Sequence, residues 1–102
     1  MLEIRPSCEL CEKPLPPESE EALICTYECT FCKHCVDTVL ENVCPNCGGG
    51  FCPRPIRPKH SHRPGVGLAH QPASTQVVKT KFSEETIREF SQLLKAIPPA
   101  KR

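Results

Sequence analysis

A small domain stapled by metal, followed by a flexible arm and one amphipathic helix, is what three features of this sequence predict. All nine cysteines of the 102-residue chain fall within residues 1–52. That stretch holds only twelve Leu, Ile, Val or Phe residues, too few to offset chain entropy without a staple. The third feature is the N-terminus, "MLEIRPSCEL", which mixes charged and apolar residues and lacks the apolar core of a secretory signal. A cytoplasmic chain sits in a reducing pool, where closely spaced thiols favour metal over disulfides. No segment reaches a membrane-spanning length, so no membrane partner is expected.

The cysteine head, residues 1–52, carries four pairs: Cys8 and Cys11, Cys25 and Cys29, Cys32 and Cys35, Cys44 and Cys47. Three pairs have the C-x2-C spacing, which lets two sulfurs from one tight turn reach a single tetrahedral ion; the Cys25–Cys29 pair has three intervening residues. Two pairs make one four-sulfur site, so four pairs predict two structural zinc ions. Cys52 is left without a pair. The run Cys29, Cys32, Cys35 also repeats part of an iron–sulfur spacing, but Val39 stands where the fourth cysteine of that motif belongs.

Charge divides the chain at the same place. Residues 1–52 hold nine acids against three bases, and residues 53–102 hold ten bases against three acids, although the formal total is only +1. From Pro53 to Lys81 there are five prolines, six Arg or Lys residues and no acid, which predicts an extended or disordered linker over 53–81. Its basic stretch, Arg54 to Lys81, is a candidate nucleic-acid contact.

The next segment, 82–98, predicts an amphipathic helix. Ser83 can cap it, Glu84 and Glu85 suit the positive end of its dipole, and Phe82 with Ile87 can form a hydrophobic staple. Ile87, Phe90, Leu94 and Ile97 recur on one face with Leu93 beside them, and Pro98-Pro99 ends the run. The stripe either docks on the head or binds a partner, because an isolated helix of this length is marginal in water.

Read in order, the intervals of 2, 13, 3, 2, 2, 8 and 2 residues resemble those of RING fingers, and "CTFCKHCVDTVLENVCPNC" is similar to a RING second half. The resemblance implies a cross-braced head of RING-like or treble-clef kind, with "VDTVLEN" as a short helix. Alternate pairs would share a metal: Cys8, Cys11, Cys32 and Cys35 in site one, and Cys25, Cys29, Cys44 and Cys47 in site two. Sequential pairing, as in LIM domains, is the rival, but LIM modules place a longer segment before the last pair. The conjugating-enzyme groove of RING ubiquitin ligases would map onto Leu10, Val39 and Pro45. Cys29 stands where RINGs typically have His, and Gly48 where those ligases often have a basic residue. A second resemblance covers residues 1–58. "MLEIRPSCELCEKPLPP", "ECTFCKHC", "CPNCGG" and "RPIRP" together resemble a family of small cysteine-rich bacterial proteins of unknown function, which implies a bacterial, cytoplasmic, metal-bound module with no assigned activity.

The remaining candidates carry weaker signals. His34 lies inside the third knuckle and is expected to face solvent, His60 and His62 sit in plain linker, and Cys52 reads as a spare thiol or a metal-exchange thiol. No nucleophile, phosphate-loop or metalloprotease motif occurs, and zinc enclosed by four thiolates has no open position for water. The expected function is therefore a non-catalytic adaptor for an unidentified protein, with Leu10, Val39, Pro45, Ile87, Phe90, Leu94 and Ile97 as candidate contacts and no small-molecule substrate. Nucleic-acid binding through the linker, zinc storage or thiol sensing, and ubiquitin ligation in a eukaryotic source are the alternatives.

Overall fold

A computed structural model describes all 102 residues. Its regular elements are few: strands β1 (Ala22–Ile24), β2 (Thr30–Cys32) and β3 (Cys52–Pro53), a helical run, and one longer helix. The helical run is a turn, α1 (Lys33–Cys35), that widens into a π-helical turn over Val36–Leu40. The longer helix is α2 (Glu84–Leu94), followed by a 3-10 turn at Pro99–Lys101. No helix is long and apolar enough to cross a membrane.

The strands form an antiparallel sheet in the order β2-β1-β3. β1 and β2 pair Ala22 with Cys32 and Ile24 with Thr30, so the Cys25–Cys29 knuckle is the turn of their hairpin. β3 adds Cys52 opposite Ile24, across the expected end of the head at residue 52. Phe31 is fully buried under the sheet and meets Phe51 edge-on, with ring centroids 5.6 Å apart. The rest of the core is Leu15, Ala22, Val36, Val39, Leu40, Ile87 and six of the cysteines. Such a core is small, and cysteines make up a large share of it.

The short helix expected over "VDTVLEN" starts earlier, at Lys33, because Cys32 is its cap: the Cys32 sulfur accepts the Cys35 amide. It stops at Glu41 and Asn42, both left-handed, with φ of 48° and 62°. Asn42 then accepts the Phe51 amide through its side chain at 2.9 Å, which ties the helix end to the approach to β3.

The C-terminal helix is capped as the sequence predicts. Ser83 is extended and its hydroxyl accepts the Thr86 amide. Its apolar stripe faces the head and not solvent. Ile87 is 1% exposed, Phe90, Leu94 and Ile97 are half-buried, and Ser91 donates to the carbonyls of Val39 and Leu40 from a fully buried position. Leu94 lies where a side chain on Gly48 would go: a Cβ there would sit 3.1 Å from Leu94 Cδ1, and Gly48 also holds φ +78°. Glycine answers both demands at once.

The arm over 53–81 differs from the flexible linker expected. It has almost no regular structure, yet it is strapped to the head. Arg54 is 3% exposed, and its guanidinium donates to the carbonyls of Arg5, Leu15 and Pro16 at 2.9–3.0 Å. Arg57 donates to the carbonyls of Leu2 and Gln71. Further along, the Ser74 amide donates to Ile4 and the Thr80 amide to Glu9, and Lys79 pairs with Glu12. Proline-rich chain pairs poorly into a sheet, but its flanking arginines can satisfy head carbonyls that would otherwise be buried without a donor.

Candidate metal centre

The first and fourth cysteine pairs adopt the same turn. In one, the Glu12 amide donates to the Cys8 carbonyl and Glu12 is left-handed at φ 64°. In the other, the Gly48 amide donates to the Cys44 carbonyl with Gly48 at φ 78°. Each turn is closed at its base, by Cys8 N to Lys13 O and by Cys44 N to Gly49 O. This geometry presents two sulfurs of a C-x2-C pair on one side of a rigid loop.

The turns come together in alternation. The sulfurs of Cys8, Cys11, Cys32 and Cys35 all lie within 4.8 Å of one another, so the first pair shares a site with the third. Cys8, Cys32 and Cys35 are buried and Cys11 is exposed. Cys25, Cys44 and Cys47 form the second group, again within 4.8 Å, so the second pair meets the fourth. Both groups could hold a metal ion. Cys29, expected as the fourth ligand of site two, lies just outside that 4.8 Å group but interacts with Cys25, and its sulfur accepts from Asn46 Nδ2, inside the Cys44–Cys47 turn, at 3.3 Å.

The thiols are unequal. Burial pushes Cys32, Cys35 and Cys44 up, most strongly for the last two, and neighbouring sulfurs add to the effect at Cys35 and Cys44. Burial also raises Cys29, against the pull of the Asn46 amide. Burial would raise Cys11 as well, but hydrogen bonds from the Lys13 amide and the adjacent sulfurs outweigh it and the net shift is downward. Cys11 is thus readier to ionise than Cys32 or Cys35. The other protons must leave when a metal binds, so affinity for metal falls as the pH falls. Backbone amides already point at several sulfurs: Tyr27 N to Cys25 and Gly49 N to Cys47. Such donors favour the thiolate form that a metal requires.

Residues 1–57 match the profile of a family described as "Protein of unknown function (DUF1272)". The chain belongs to that family. The chain is also similar to an uncharacterised protein of the bacterium Rhizobium meliloti (strain 1021), 51% identical over 75 residues, which cover 74% of this chain and 82% of the relative. The family match agrees with the 1–58 resemblance expected from the sequence, and since 75 residues exceed it, the similarity to this relative extends into the arm. No solved structure matches the chain.

The other candidate residues of this DUF1272 member are mostly absorbed by packing. Val39 and Pro45 are buried and Leu10 half-buried. Pro45 shares an apolar cavity of about 200 Å³ with Phe82, Ile87 and Phe90, so α2 lies over the surface that the RING resemblance assigned to a conjugating enzyme. Of the basic stretch from Arg54 to Lys81, Arg54 and Arg57 turn inward and Lys79 is paired, which leaves Lys59, Arg63 and Lys81 facing solvent. Cys52 and His34 are exposed. Sequence reasoning missed Asn46 and Arg54. An amide inside "CPNC" is a legible hint of a sulfur donor, whereas nothing in "RPIRP" marks which arginine is buried.

Proposed function

We propose that the chain is a two-zinc structural module with a cross-braced, RING-like head that serves as a protein-interaction adaptor, not a catalyst. The observation that carries the metal reading is the four-sulfur group of Cys8, Cys11, Cys32 and Cys35. Its Cys11–Cys32 sulfurs are 3.7 Å apart, and ~2.3 Å zinc–sulfur bonds in a tetrahedron require an edge of about 3.8 Å. Thiolate ligands select thiophilic ions, and a closed set of four is a structural arrangement. The non-catalytic reading is supported by the state of Glu9, a carboxylate that lines a cavity with Cys29. It is 2% exposed and already bonded to Arg5 and the Thr30 amide, so it is not free to move protons.

Within the adaptor reading, docking of α2 shifts the contact. The stripe of Ile87, Phe90, Leu94 and Ile97 holds the helix to the head, while Leu93 stays 72% exposed on the outer side. A protein partner in the cytoplasm would meet Leu93 and its surroundings. Metal analysis on protein purified without oxidant tests the first half of the reading: two zinc ions per chain are expected, and disulfides with no metal would overturn it. Leu93→Asp tests the second half. It should leave the fold and the metal content intact and abolish co-purification of a cytoplasmic protein; unchanged co-purification would remove this face from consideration.

A further inference from the structure

The ligands of the two sites alternate along the chain, and one buried carboxylate lies where they interleave. Glu9 sits between Cys8 and Cys11 of site one and is 2% exposed. It is bound to Thr30 at two points: its amide donates to the Thr30 carbonyl at 3.0 Å, and its carboxylate accepts the Thr30 amide. Thr30 is itself fully buried, directly after Cys29 and two residues before Cys32 of site one. Burying a carboxylate is costly unless it is paired and hydrogen-bonded. Arg5 supplies the charge, reaching the same carboxylate oxygen at 2.8 Å. On the other side of Thr30, the Cys29 sulfur accepts from Asn46 inside the Cys44–Cys47 turn. An unbroken line of bonds therefore joins the Cys8–Cys11 turn of site one to the Cys44–Cys47 turn of site two, through Glu9, Thr30 and Cys29.

We propose that Glu9 is a positioning residue that couples the two metal sites, so that an ion in either one raises the affinity of the other. The inference rests on the two-metal reading above. An ion in site one draws the Cys8–Cys11 turn onto Cys32 and Cys35, which carries Glu9 onto Thr30. That contact fixes the end of the β1–β2 hairpin, against which the Cys44–Cys47 turn closes. An ion in site two acts in reverse. It fixes the hairpin first, and Thr30 then offers Glu9 both a donor and an acceptor that pull the first turn toward site one. The two effects are equal by linkage. Glu9 touches neither ion and acts only through the residues beside the ligands.

Cobalt titration of the full chain provides the test, with mass spectrometry of the intact protein counting its empty, one-ion and two-ion forms. Wild-type protein should pass from empty to two ions with little of the one-ion form between. Glu9→Met, which fills the space but cannot accept the Thr30 amide, should reduce the coupling about tenfold and let the one-ion form accumulate. Glu9→Gln keeps an oxygen for that amide and should stay close to wild type. A change that merely destabilised the fold would demand more cobalt for both ions and still load them together. Abundant one-ion wild-type protein, joint loading of Glu9→Met, or Glu9→Gln as uncoupled as Glu9→Met would overturn the proposal. Wild-type protein that never binds two ions would instead overturn the underlying two-metal reading. Should Glu9→Met take up no metal, Glu9→Asp decides. It keeps the charge for Arg5 but falls short of Thr30, so its one-ion form should accumulate, and joint loading would overturn the proposal.

Discussion

Residues 1–52 and residues 53–102 lie against each other but are held by different means. In the head, short elements converge on cysteine sulfurs, and six of the thirteen residues of the buried cluster are cysteines. The C-terminal half has no comparable centre. It is fastened at separate points along the head, by Arg54 and Arg57 on backbone carbonyls and by Ile87, Leu94 and Ser91 on the π-helical turn and Gly48. The difference teaches which half depends on which. The head can fold around its own ligands, but the C-terminal half has a shape only where the head supplies a surface.

Removal of the metals makes the largest test of that dependence. If the proposed zinc ions are bound, each would contribute on the order of ten kcal/mol to folding, so Cys32→Ser or a strong chelator should unfold the head and release α2 with it. Circular dichroism should show helix loss along with metal loss, since eleven isolated residues do not sustain a helix in water. Helix that survives in the stripped protein would show the C-terminal half to be independent. Ile87→Ala comes next. It removes a fully buried side chain at the helix–head contact and should cost about 2–4 kcal/mol, with both metals retained. Amide exchange faster in α2 than in the sheet would confirm that only the docking has weakened.

Arg54→Ala should cost about 2–3 kcal/mol by leaving three carbonyls without their donor, and chemical denaturation reads this directly. Arg54→Lys should restore little of it, because a single ammonium cannot reproduce the fork of the guanidinium. The smallest effect is expected at Cys52→Ser. That thiol is exposed at the sheet edge, and the change should stay within about 0.5 kcal/mol with metal content unchanged.

The two halves were also unequally legible in the sequence. Cysteine spacing carries its chemistry openly, because two sulfurs three residues apart have few other uses, and the sulfur groups of Cys8, Cys11, Cys32, Cys35 and of Cys25, Cys44, Cys47 are gathered in the structure. The Ser83 cap and the Ile87 stripe were readable for the same reason, as local patterns of a regular helix. The course of residues 53–81 was not readable. Arginine among prolines has the composition of solvated linker, and the partners of Arg54 are carbonyls of Arg5, Leu15 and Pro16, groups that every residue has and no pattern marks. Cys29 is the intermediate case. Its spacing announced a ligand, and only the fold shows its sulfur resting on Asn46.

Arg54 also stands after all eight paired cysteines in chain order, and its acceptors lie 38 to 49 residues earlier. Chains are synthesised from the N-terminus, and early segments fold while later ones are still being made. Every sulfur of both groups is therefore translated before the residue that straps the arm across the head. Under the two-metal proposal, the thiols would be available to metal before the strap can close over the head.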